Sequence, residues 1–234
     1  MRRVMASATV PSRLALGSRD VRALMLLHAV YGLCGAGAIA LDPPAKGWAI
    51  FACVVGYNVA LPLVARAVGR SDWLAMWAFL LPLSVFQVAP DWFLSAGLGT
   101  LSFPDVGGPR LGDAIQLAMA GMWVTPLFLV LALAGASGAR AAALAFAMFL
   151  ATELAAPVLE LWEPRNATEL AGVAVYVLPP EAALGWATWL AFRLTRTSGV
   201  AARIGAAAAV ATFYTGALTL AHFLTETADW SVAL

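Results

Sequence analysis

MFLATELAAPVLELWEPRNATELAGVAVYVLPPEAALGW, Met148–Trp186, is the stretch around which the rest of the chain can be read. Two apolar runs flank a short polar link, and Glu153, Glu160 and Glu181 fall within or close beside them. A carboxyl group carried to membrane depth is costly unless it meets water, a partner or a function, so each of these acids needs an explanation. Depth is implied by the composition around them: 234 residues, 62% hydrophobic, 12% charged, with a mean hydropathy of +0.84. Soluble domains carry roughly 25% charged residues, so the chain reads as an integral membrane protein.

A helix needs about 20 apolar residues to cross a bilayer. The candidates in order are 22–41, 47–68, 73–89, 113–134, 140–161, 171–192 and 203–224. They define an all-α, polytopic membrane bundle of seven transmembrane helices, with residues 1–21 as a cytosolic tail and 22–230 as one domain. The basic start, MRRVMASATVPSRLALGSRD, has no apolar core ending in a small-residue cleavage site and is read as that tail.

With the N-terminus cytoplasmic, only Lys46, Arg110 and Arg165 of the 14 basic residues face the outside. Positive charge concentrated on the cytoplasmic side is the expected asymmetry, and it puts the C-terminus outside. Trp48, Trp92, Trp162 and Trp230 then lie near the outer interface, while Trp73, Trp77 and Trp189 lie near the inner one. A bacterial cytoplasmic membrane is the expected location. Of the 13 acids only Asp20 and Asp72 are cytosolic, a bias that an outward-facing polar site would explain.

Residues 90–112 form the longest link, and their prolines and glycines oppose one continuous helix. An interfacial lid over a cavity mouth is expected there, with an ordered loop as the plain alternative. Net charge is +1, which gives no case for nucleic acid as a partner. Cys34 and Cys53 lie in apolar runs and read as buried free thiols. Two histidines cannot build a di-iron cluster, and Lys46 lies in a loop, so no retinal Schiff base is available. No acidic pair at helical spacing faces a matching pair. No metal site and no cofactor are expected.

The candidate chemistry is carboxylic. Glu153 and Glu160 are two turns apart and would share a helix face, with Pro157 between them as a kink. Glu181 follows Pro179 and Pro180, which would break the sixth span beside its carboxyl. Asp91 lies four residues after Gln87 at the edge of the lid. A protonated carboxyl in an apolar cavity can protonate an alkene, while a second carboxylate or an aromatic face stabilises the cation. Candidate catalytic residues are therefore Glu181, Glu153, Asp91 and Glu160. Trp123, Trp186, Tyr176, Asn58, Gln87, Gln116 and His222 are candidate substrate contacts. Interhelical packing and hydrogen bonding is the alternative role for all of these, and for Tyr57, Thr125, Thr152 and Tyr214.

The run GVAVYVLPPEAALGW, Gly172–Trp186, resembles a segment of small membrane carotenoid cyclases of the heterodimeric lycopene cyclase type. In those proteins a span carries a proline followed closely by acidic residues. Pro179, Pro180 and Glu181 match, while Ala182 stands where the family has its second acid; ELWEP, Glu160–Pro164, is similar more loosely. The resemblance covers about 30 of the 234 residues. It implies a redox-neutral, acid-catalysed enzyme acting on an isoprenoid or other lipid, cyclase- or isomerase-like. The alternative is a membrane transporter or binding protein for a small molecule or ion, with an outward acidic cavity. Expected partners are the lipid substrate and membrane lipids, and the sequence leaves the oligomeric state open.

Overall fold

The structure is a computed structural model that describes residues 16–228. Most of the basic tail, including Arg2, Arg3 and Arg13, lies outside the described residues, as does Trp230. The long rods are α1 (Ser18–Ile39), α2 (Ala45–Val68), α3 (Ser71–Phe86), α7 (Gly138–Ala155), α8 (Leu178–Thr195) and α9 (Val200–His222). Shorter helices are α4 (Val88–Trp92), α5 (Met119–Met122) and α6 (Val124–Ala134). α4 runs through a π-helical turn at Phe93–Leu98, so helix is nearly unbroken from Ser71 to Leu98. Among the described residues, five helices are long and apolar enough to cross a membrane, and Met119–Ala134 is a shorter apolar helix. Their outward faces are apolar, as at Met25, Leu26, Leu63 and Leu220, which water would penalise and lipid would not.

The interior is packed by Leu61, Phe79, Leu83, Phe128, Leu184 and Leu218. α7 and α8 approach closely at Gly185, where a Cβ would overlap the Ala145 methyl group and lie 2.8 Å from the Ala141 carbonyl oxygen. Small residues let two backbones meet this closely without any hydrophobic drive between them.

The two ends of the bundle differ. At one end the links are short: α2 stops at Gly69, whose φ of 75° suits glycine, and Arg70 ties α1 to α3 through Asp20 (2.6 Å) and Asp72 (2.6 Å). At the other end the long links knit together. β1 (Leu101–Ser102) pairs antiparallel with β4 (Glu163–Pro164), β2 (Arg110–Leu111) with β3 (Ile115–Gln116), and β5 (Glu169–Leu170) with β6 (Val173–Ala174). Asn166 donates to the Gly99 carbonyl (3.0 Å), the Gly47 N–H donates to Val106 (2.8 Å), and Lys46 pairs with Glu160 (2.8 Å).

Three of the expected spans change shape. The stretch from Asp113 begins as the β2–β3 hairpin and becomes helical only at Met119. The stretch from Arg140 leaves the helix at Ala155, because Pro157 has no N–H for the Glu153 carbonyl and its ring crowds that oxygen. Glu160 then sits at φ 57°, so it does not share a helix face with Glu153. The stretch from Ala171 opens as the turn of the β5–β6 hairpin, with Ala171 and Gly172 both at positive φ, the geometry of a tight hairpin turn. Pro179 and Pro180 do not break a helix; they start α8, where a missing N–H leaves nothing unsatisfied.

Candidate functional site

Three carboxyl side chains reach one cavity of about 280 Å³ from three elements: Asp91 from α4, Glu153 from the end of α7, and Glu181 from the first turn of α8. Each is placed by a helix terminus. The near-continuous rod from α3 brings Asp91 under the lid, the stop at Pro157 leaves Glu153 two residues from a helix end, and the proline start of α8 turns Glu181 inward. Asp91 and Glu181 are buried, and the electrostatic field of each of the other two reaches Glu181. They surround the space rather than converge on a point: no group of three or more His, Cys, Asp or Glu among the described residues is placed to hold a metal ion.

Two of the three are held by indole donors. Trp123 Nε1 donates to Asp91 Oδ2 (3.1 Å), and Trp162 Nε1 donates to Glu153 Oε1 (3.0 Å). Glu181 Oε2 has no hydrogen-bond partner among the described residues. Buried polar atoms are nearly always paired, so this oxygen is the exception that a bound group or water would satisfy. The remaining wall is largely apolar and aromatic, with Phe149, Met119, Met122 and Met148 beside Trp123, Trp162, Tyr176 and Tyr214. Trp123 packs on Phe149 (5.1 Å between ring centres) and Tyr214 (5.9 Å). Among the described residues, no lysine, arginine or histidine lines the cavity.

The lid residues close one side. Thr100, Leu101 and Phe103 line the cavity from the segment after α4, and Trp162 and Pro164 line it from the facing link. The Thr100 and Tyr176 hydroxyls are 2.7 Å apart; Thr100 also donates to the Leu94 carbonyl, so Tyr176 is the donor to Thr100.

Of the residues singled out in the sequence, Glu181, Glu153, Asp91, Trp123 and Tyr176 line this cavity. The others do not. Glu160 is exposed and pairs with Lys46, whose ammonium group holds the Glu160 carboxyl below its ordinary range. Trp186 is 43% exposed on the outer face of the bundle. Asn58 fastens α2 to α5 by donating to the Gly121 carbonyl (3.1 Å). Gln116 donates to the Pro104 carbonyl (3.1 Å), and Gln87 is fully buried away from the cavity. The His222 ring packs edge-on against Tyr176 (5.2 Å), behind the wall. Cys34 is exposed on the apolar face of α1 instead of buried.

Sequence reasoning passed over Tyr31 and gave Trp162 only an interfacial place, yet both line the cavity. Tyr31 stands three residues from His28 on one face of α1, a polar pair in an otherwise apolar span that was the available signal.

The chain belongs to a family described as a domain of unknown function, DUF6989, whose profile matches residues 88–225. That segment runs from the start of α4 to the turn after α9 and contains all three cavity carboxyls. No curated protein and no solved structure matches the chain.

Proposed function

We propose that this chain is a membrane-embedded, redox-neutral enzyme that uses carboxylic acid catalysis on an isoprenoid or other apolar lipid, in the manner of a cyclase or isomerase. The observation that carries the reading is the presence of Asp91, Glu153 and Glu181 on one aromatic-walled cavity that, among the described residues, has no cationic side chain on its wall. A volume of about 280 Å³ lies just below the roughly 300–1,000 Å³ of small-molecule sites.

Glu181, whose Oε2 has no hydrogen-bond partner among the described residues, is the proton donor. Its proton adds to one carbon of an alkene, and the resulting cation faces the Trp123, Trp162 and Tyr214 rings. Loss of a proton from a neighbouring carbon to Asp91 or Glu153 restores a double bond. The substrate's proton count and oxidation state are then unchanged, and the cycle closes when the proton passes back from that carboxyl to Glu181. The indole bonds fix Asp91 and Glu153 as acceptors, which is the preorganisation that favours a developing positive charge.

In the membrane the bundle is read as seven spans, with Met119–Ala134 and α8 joining the five long apolar ones. The Met119–Ala134 helix covers roughly 24 Å, and α7 and α8 roughly 27 Å each at 1.5 Å per residue, less than the roughly 30 Å hydrocarbon core. The knitted links fill the missing layer at their end. Arg19, Arg22, Arg66, Arg70, Arg140, Arg193, Arg196 and Arg203 mark the short-link end as cytoplasmic in a bacterial inner membrane. The lid end and the C-terminus then face outside.

The test is Glu181→Gln, which keeps the shape of the side chain and removes the proton donor. Lipids and pigments extracted from cells making either form are compared by mass spectrometry, with the protein checked for abundance and monodispersity. A product missing only from the variant is expected; identical profiles would remove Glu181 from the role.

A further inference from the structure

The cavity is not sealed evenly. Its acid-bearing end is shut in, with Asp91, Thr100, Phe103, Tyr176, Glu181 and Tyr214 all buried. On the lid side β1 pairs with β4, Tyr176 donates to Thr100 at 2.7 Å, and Asn166 fastens its link to the Gly99 carbonyl at 3.0 Å. Toward the short-link end, Leu127, Phe128 and Leu131 of α6 and Ala141 and Ala145 of α7 are buried.

What remains is one side. Tyr31 on α1, Met122, Thr125 and Pro126 around the start of α6, and Met148 and Thr152 near the end of α7 line the cavity and are each partly exposed. Helical spacing shows which way they look. Met122 and Pro126 continue the stripe of Leu129 and Leu133, and Leu133 is exposed on the outer face. Met148 and Thr152 each follow an exposed alanine on α7, Ala147 and Ala151. The rim therefore lies on the surface of the bundle, between α1, α6 and α7. At 1.5 Å per residue, Pro126 and Met122 stand roughly 12 and 18 Å from the short-link end of α6, and Met148 and Thr152 roughly 15 and 21 Å from that of α7. All four distances fall inside a hydrocarbon core of roughly 30 Å, so the opening meets lipid and not water.

The rim selects what passes. Among the described residues it carries no charged side chain, and the Thr152 hydroxyl is spent on the Met148 carbonyl at 2.8 Å. A charged headgroup has no partner there, which is costly at membrane depth. An apolar chain meets Met122 and Met148, whose unbranched thioethers adapt to irregular shapes. We propose that this opening is a lateral portal, through which the hydrocarbon tail of a neutral lipid dissolved in the bilayer enters tail first to reach Asp91, Glu153 and Glu181. The nature of the occupant rests on the lipid reading above; the route rests on the rim.

The test uses the full-length protein in lipid nanodiscs and a photoactivatable probe, an uncharged alkyl chain of isoprenoid length with a diazirine at its free end. After illumination, cross-linked peptides are located by mass spectrometry. Adducts are expected on the interior carboxyls as well as on the outward face of α1. Thr152→Trp and Met148→Trp, made separately, each narrow the portal and should remove the interior adducts while those on α1 remain. Ser102→Cys with Glu163→Cys, a facing pair across β1 and β4, locks the lid as a disulfide in a chain carrying Cys34→Ala and Cys53→Ala. Interior adducts should persist there. A second probe with the diazirine beside a phosphate group should label no interior carboxyl. Labelling needs no turnover, so a protein that admits the first probe and forms no product in cells keeps the portal and loses the catalytic reading. Absence of interior adducts in the unaltered protein overturns the proposal. So do interior adducts that survive in a folded portal variant, that vanish when the lid is locked, or that form with the phosphate probe.

Discussion

The hydrogen bond from Trp123 to Asp91 can be tested by a double substitution in which the second change should repair the first. Asp91 is 4% exposed, and its Oδ2 accepts from the Trp123 indole at 3.1 Å. Trp123→Phe keeps most of the ring contact with Phe149 and Tyr214, whose centres lie 5.1 and 5.9 Å away. What it removes is the N–H. A buried acceptor left without its donor costs about 1–3 kcal/mol, whereas replacing both partners by apolar groups is close to neutral. Trp123→Phe should therefore destabilise the protein by about 2 kcal/mol, and Trp123→Phe with Asp91→Leu by less than that. Interhelical hydrogen bonds in membrane proteins reach about 1.7 kcal/mol in such cycles, so the coupling energy is expected near 1–1.5 kcal/mol. Unfolding titrations with sodium dodecyl sulfate in mixed micelles, on the four members of the cycle, measure it. Strictly additive losses would refute the bond and the placement of Asp91 that depends on it.

Other perturbations have equally definite outcomes. Gly185→Ala, whose methyl would overlap that of Ala145, should cost about 1–3 kcal/mol as overpacking. Gly205→Ala on α9 meets nothing within 4 Å and should be neutral or stabilising by up to about 1 kcal/mol in the same titration. Lys46 holds the Glu160 carboxyl below its ordinary value of 4.5, so this pair's contribution is complete above that value. It should fade as the pH falls below 4.5 toward the lowered folded value, and the acid loss of thermal stability should be smaller in Glu160→Gln. Arg70→Met removes the bonds to Asp20 and Asp72 that join α1 to α3. A loss of about 2 kcal/mol is expected from two partly exposed charge-assisted contacts, with proteolysis between α2 and α3 as the second readout.

The helices were legible because apolar runs of membrane length are written directly in composition. Their ends were less so. Pro179–Pro180 reads equally as the break of a helix or as its start, and only the β5–β6 hairpin ahead of it decides for the start. Ala171–Gly172 looks like apolar span and is a tight turn, because alanine carries no mark of the positive φ it adopts there. For the same reason Glu160 was placed on a helix face with Glu153, although the chain leaves the helix at Ala155. The acids could be singled out by their cost in lipid, and Asp91, Glu153 and Glu181 do lie on one cavity. Tyr31 carried only the faint mark of His28 three residues before it on α1, since a phenol near membrane depth is cheap.

Unpaired polar atoms are informative here only in relation to the cavity. Ser84, Gln87 and Thr188 each bury polar atoms without a described partner, and none of them lines it. Such groups sit between helices and act at most as weak interhelical contacts. Glu181 Oε2 is equally unpaired, but its residue lines a space large enough for a ligand, together with the Asp91 and Glu153 carboxyls that the two indoles hold. Carboxyls held at separate points of one wall orient a flexible lipid chain, and orientation decides which carbon meets the proton. A substitution that frees an acceptor carboxyl should therefore leave the reaction running but scatter its products, while one that removes the acid should stop it. Product distributions from Trp162→Phe and Glu181→Gln cells separate the two, and a single unaltered product from Trp162→Phe would show that the acid alone sets the outcome.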